Sequence, residues 1–141
     1  MPLIYRVMTV DGDKPLIANT ARGLGVRVGN GPHDDIDTDE HGRVAPGSGG
    51  MSVAPSWRDL PEVRIPSRLR EKGVLFARGK NNDACWRLGA GDFVASSIAE
   101  GLSLRPDRSD HGLVEPMEVE PLHKFLNDLA ATCGLWTIDE D

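Results

Sequence analysis

Residues 3–10 alternate, with Leu3, Tyr5 and Val7 on one face and Ile4, Arg6 and Met8 on the other. A period of two predicts a β-strand that begins almost at the first residue. Short runs at 51–54, 84–89, 102–107 and 110–116 predict further strands. Towards the end the period changes: Leu122, Phe125, Leu126, Leu129 and Cys133 recur at spacings of three and four, with Pro121 ahead and Gly134 behind. That is a helix with one buried stripe, started by the proline and stopped by the glycine. Residues 65–73 are compatible with a single helical turn. Residues 33–50 are polar, acidic and rich in Gly and Pro, and predict a long mobile loop. Short strands, glycine-rich connections and one good helix, without an internal repeat, define an α+β class.

Length and composition sharpen that picture. A chain of 141 residues fits a single domain, 1–141, with a modest core. Gly and Pro supply 26 of the 141 residues, which disfavours a bundle of long helices. Apolar runs fall far short of the roughly 20 residues of a membrane span, and the first ten residues lack a basic leader with a cleavage signal. The expectation is a soluble, cytoplasmic protein without membrane association or a classical export signal. Cys85 and Cys133 belong to no Cys-x-x-Cys pair, so reduced, buried thiols are expected. The formal charge of −6 is uneven: residues 115–141 hold seven acids against Lys124 alone, whereas residues 58–80 hold seven bases and three acids. Non-specific nucleic-acid binding needs a more basic balance. Recognition of a small phosphate-bearing ligand by a few arginines stays open.

Several residues carry candidate chemistry. Arg6 sits mid-strand on a largely apolar face, and a buried guanidinium needs a carboxylate, carbonyl groups or a ligand anion. A structural role for Arg6 predicts a large loss of stability on Arg6→Ala, and a ligand role predicts little. Residues 19–31 bring four glycines beside Arg22 and Arg27, a stretch able to turn backbone amides towards an anion or simply to make turns. It lacks the third glycine of the dinucleotide fingerprint. Asp35, Asp37 and Asp39 invite a calcium reading, but the loop pattern for that ion fails at its sixth and twelfth positions, so no metal site is expected. Ser52 has no nucleophile elbow around it. The basic stretch at 58–80 reads as a solvated face, and His123 as surface. His111 and Glu115 share one strand face about 13 Å apart, too far for a direct pair. They trim a sheet or bracket an extended ligand; a Ser–His–Asp triad would need another acid at His111.

The segments Leu-Ile-Tyr-Arg-Val (3–7), Ala-Arg-Gly-Leu-Gly-Val-Arg (21–27), Gly-Gly-Met-Ser-Val-Ala-Pro (49–55), Cys-Trp-Arg-Leu-Gly-Ala-Gly (85–91) and the closing block 111–136 fall in a particular order. In that order they resemble the blocks of the bacterial toxin family typified by the type VI secretion effector two. The resemblance spans residues 3–136 and implies a compact fold similar to ADP-ribosyltransferases, with short mixed or antiparallel strands and a C-terminal helix. It implies a toxin acting inside cells, delivered by a leaderless route or made in place, and neutralised by a cognate immunity or antitoxin protein. NAD is the implied substrate.

By that resemblance Arg6 would hold the dinucleotide, Ser52 would prop its nicotinamide half, and Glu115 would stabilise the cationic sugar formed as nicotinamide leaves. Position 113 is Leu113, where arginine-directed transferases carry a second acid. His111, which opens the closing block, would contact ligand or target. Two other readings share the scaffold: a toxin or regulator that acts by binding a cellular partner without catalysis, and a small housekeeping domain in which Arg6 is purely structural.

Overall fold

The computed structural model describes residues 1–29 and 31–141; Asn30, within the glycine-rich stretch 19–31, lies outside the described residues. The strands are β1 (Ile4–Asp11), β2 (Lys14–Pro15), β3 (Arg43–Val44), β4 (Met51–Val53), β5 (Asp83–Leu88), β6 (Ser96–Ala99), β7 (Leu102–Arg108), β8 (His111–Pro116) and β9 (Glu120–Pro121). Helix α1 (Leu122–Ala131) and strand β10 (Thr137–Ile138) follow. Two four-stranded sheets, ordered β10-β5-β1-β2 and β4-β8-β7-β6, are accompanied by the pair β3-β9. Every pairing between these strands is antiparallel. The class is α+β, as the sequence predicts.

Tyr5 and Ala54 join the two larger sheets by exchanging both backbone hydrogen bonds, at 2.7 and 3.0 Å. The alternation of β1 explains why the junction lies there: both of its faces are covered. Ile4 and Met8 enter the main core with Met51, Trp86, Leu104 and Val114, while Tyr5 and Val7 pack in a smaller cluster with Leu60, Ile65 and Cys85. Arg6 therefore lies on a strand with no water-facing side.

Phe125 and Leu129 of α1 are buried in the main core, each contributing about 1.5–3 kcal/mol. Pro121 precedes the helix as predicted, losing no hydrogen bond there. The stop differs from the prediction. The helix ends at Ala131, and Gly134 lies in a following 3₁₀ turn (Cys133–Leu135). Thr132 is the reason: its hydroxyl donates to the Leu129 carbonyl at 2.7 Å and accepts from Trp136 Nε1 at 2.9 Å, so a buried polar anchor ends the helix.

Residues 33–50 are tied down more than their composition suggests. Ile36 and Val44 belong to the main core, Ile36 bridges Gly49, and β3 pairs with β9. Residues 65–73 form turns, one of them closed by Arg70 N on Pro66 O at 3.1 Å as in a single helical turn, without a continuous helix.

A candidate anion-accepting cleft

A cleft of about 130 Å³ opens where β1 meets β4, and Arg6, Arg27, Asp35, Ser52, Arg64 and His111 are among its lining residues. Asp59 lines it too, from the 3₁₀ turn Trp57–Asp59.

Arg6 is only 6% exposed and finds carbonyl groups, the second of its three possible kinds of partner. Nε donates to Gly23 O at 3.1 Å and Nη1 to Ser52 O at 2.8 Å. Nη2 is spread over Thr20, Ala21 and Gly25 carbonyls at 3.3–3.5 Å. Burial, followed by the charges of Arg64 and Arg27, lowers its pKa to about 10 against the opposing pull of Asp35. The group remains a cation at neutral pH, and it has no carboxylate within salt-bridge distance among the described residues.

The glycine-rich stretch thus works the other way round from an amide nest. Its carbonyls face the Arg6 cation, while the amides of Gly23, Leu24 and Arg27 are bonded to Thr20 O, Leu16 O and the Asp35 carboxylate. Gly23 and Gly25 are needed for this path, since a Cβ at either would stand 2.5 Å from Ala18 O.

Arg27 lies in the cleft, with Nε and Nη2 on both Asp35 oxygens at 2.9–3.3 Å. Burial alone would raise the Asp35 carboxyl, but the Arg27 hydrogen bonds and charge outweigh it and hold the pKa below the ordinary value. Arg22 is elsewhere, paired with buried Asp83 at 3.1 Å. Arg64, at the end of the 3₁₀ turn Glu62–Arg64, is half-buried and makes no side-chain hydrogen bond or ion pair among the described residues. Burial is the main cause of its lowered pKa, with the charges of Arg27, Arg78 and Arg22 adding to it and Asp35 opposing.

His111 reaches the cleft from β8, and an acid four residues earlier in the chain becomes its partner: Nδ1 stands 2.7 Å from Asp107 Oδ1. A register shift between Pro106 and Arg108 makes Asp107 the extra residue of the β7–β8 pair, which frees its side chain for that contact. Ser52 pairs with Leu113, diagonal to His111, and the two side chains share no hydrogen bond. A Ser–His–Asp relay is not assembled. Glu115 is buried outside the cleft lining, accepting from Arg105 Nε at 2.9 Å and from Gly47 N at 2.8 Å. Four sequence candidates, Arg6, Arg27, Ser52 and His111, therefore meet in one place, and Arg22 and Glu115 do not. Arg64 and Asp107 were missed; the excess of bases at 58–80 was the only signal for the first.

Among the described residues no cluster of three or more His, Cys, Asp or Glu side chains is placed to hold a metal ion. Asp39, one of the three tempting aspartates, instead accepts from His41 N, Arg43 N and Arg43 Nε. No described helix is long and apolar enough to cross a membrane. Comparison with protein-family models, with curated proteins and with solved structures finds no match.

Proposed function

We propose that the protein is a toxin that acts inside a cell, binds NAD at the cleft, and transfers its ADP-ribose or hydrolyses it, with a cognate immunity protein as its neutralising partner. The observation that supports this reading is the convergence of Arg6, Ser52 and His111, from three strands far apart in sequence, beside Arg27 in one cleft. A cleft of about 130 Å³ takes one end of a dinucleotide and leaves the rest over the rim. In the reaction the bond between ribose and nicotinamide breaks, nicotinamide leaves with the electron pair, and water or a target nucleophile captures the cationic sugar. His111, its Nδ1 turned to Asp107, has Nε2 to accept the proton released by that nucleophile.

A second reading is favoured by Glu115. Its carboxylate is taken up by Arg105 and Gly47 away from the cleft, so the acid expected to stabilise the cationic sugar is not where the ligand would be. On this reading the protein binds a phosphate-bearing ligand or a cellular partner and harms without catalysis.

The test is induction of wild type, His111→Ala and Glu115→Gln in a bacterial host at matched soluble expression, with intracellular NAD followed in the same cultures. Growth arrest with NAD loss that requires His111 supports the enzyme. Arrest at constant NAD, retained in His111→Ala, supports binding without catalysis. Growth without arrest overturns both readings.

A further inference from the structure

We infer that the cleft is a phosphate site in which Arg64 is the principal contact, and that its ligand class is a diphosphate such as the pyrophosphate bridge of a dinucleotide. This deepens the proposed function and rests on it for the identity of the nucleotide, but the charge argument is independent of NAD.

The local charges do not close. Three arginines, Arg6, Arg27 and Arg64, line the cleft with two carboxylates, Asp35 and Asp59. Asp35 is consumed by Arg27 through three side-chain hydrogen bonds. Asp59 is exposed at the rim and makes no ion pair with Arg6 or Arg64 among the described residues. The charges of Arg27, Arg78 and Arg22 repel that of Arg64, and Asp35, which attracts it, is already shared. Arg22 spends its charge on Asp83. Arg6 is met by carbonyl groups alone, and Arg64 is left half-buried without an anion, an arrangement that costs free energy unless a ligand supplies one.

The donors available match phosphate better than a single carboxylate. Arg6 has committed Nε, Nη1 and Nη2 to carbonyls and acts as a fixed background charge. Arg27 has committed Nε and Nη2, but its Nη1 makes no bond among the described residues. Arg64 keeps its whole planar fork, which binds two oxygens of one phosphate side by side. A second phosphate would then lie towards Arg27 Nη1.

The proposal is tested by titrating inorganic pyrophosphate into wild type, Arg64→Ala, Arg64→Lys and Lys72→Ala, the last being an exposed cation that does not line the cleft. Binding is read by calorimetry and by the guanidinium Nε–H resonances of the wild type. Pyrophosphate should shift the Arg64 resonance, weaken at least about tenfold in Arg64→Ala, the loss expected when a charged hydrogen bond is removed, weaken less in Arg64→Lys, and stay unchanged in Lys72→Ala. Undiminished binding by Arg64→Ala overturns the proposal, as does an equal loss in Lys72→Ala or a wild-type Arg64 resonance that does not move. If Arg64→Ala fails to fold, the wild-type resonance and Arg64→Lys decide. Arg64-dependent pyrophosphate binding without NAD binding or turnover would uphold this site while sinking the NAD reading. NAD turnover without pyrophosphate binding would do the reverse.

Discussion

Arg6 Nη1 donates to the main-chain oxygen of Ser52 at 2.8 Å, so the cation carried by β1 holds the strand that forms the opposite wall of the cleft. With the Gly23, Thr20, Ala21 and Gly25 carbonyls it forms a clamp between β1, β4 and the glycine-rich connection. Arg6→Ala leaves these oxygens, those of Gly23 and Gly25 the more deeply buried, without their donor. We expect a loss of more than about 3 kcal/mol in urea unfolding, with Arg6→Lys nearly as damaging because one ammonium cannot reproduce the fork. A loss below about 1 kcal/mol would show that the clamp is not structural.

Glu115 holds Gly47 and Arg105 beside β8, outside the cleft lining. Glu115→Ala strands the Gly47 amide and should cost about 1–3 kcal/mol, while Glu115→Gln, which retains an acceptor, should cost less. Because Glu115 lies outside the cleft lining, pyrophosphate affinity should be unchanged in a folded Glu115→Gln. Chemical denaturation and calorimetry on the same samples separate the two effects.

The Arg27–Asp35 pair predicts an acid-side pH dependence. Asp35 has a folded-state pKa below the unfolded value of about 3.9. Its stabilisation is therefore complete above that unfolded value and lost as pH falls through the folded one. For this partly exposed pair the difference between wild type and Asp35→Asn should be about 1 kcal/mol near pH 6 and shrink steadily below about pH 4. A difference that grew on acidification would contradict the pairing.

Cys85 is fully buried, and burial, with a smaller push from Glu140, raises its thiol pKa to about 12. At pH 8 only about one molecule in ten thousand carries the thiolate. A disulfide-exchange reagent should leave Cys85 unmodified in the native protein and reach it only on unfolding. Cys133, half-buried with its thiol on Pro15 O, should react first. Peptide mapping after timed labelling gives the order.

Hydrophobic periodicity determined the strands around 3–10 and 110–116 and the stripe of α1, and with them the α+β class, since alternation and helical spacing are properties of consecutive residues; the antiparallel pairing came only with the tertiary structure. It also showed that Arg6 would need partners. Which partners only the tertiary structure decided, because five carbonyls from two separate stretches, 20–25 and 52, had to converge on one guanidinium. The same holds for the cleft. Arg64 read as part of a solvated basic face because seven bases fall within residues 58–80, yet its environment is set by burial and by the charges of Arg27, Arg78, Asp35 and Arg22, most of them from outside that stretch. Asp107 was invisible beside His111 because the pairing depends on a one-residue register shift between β7 and β8. Glu115 shared a strand face with His111 as the alternation required, but whether it met a ligand or Arg105 depended on what packed against that face. Local patterns follow from the chain's own geometry; charge balance depends on residues brought together from far apart.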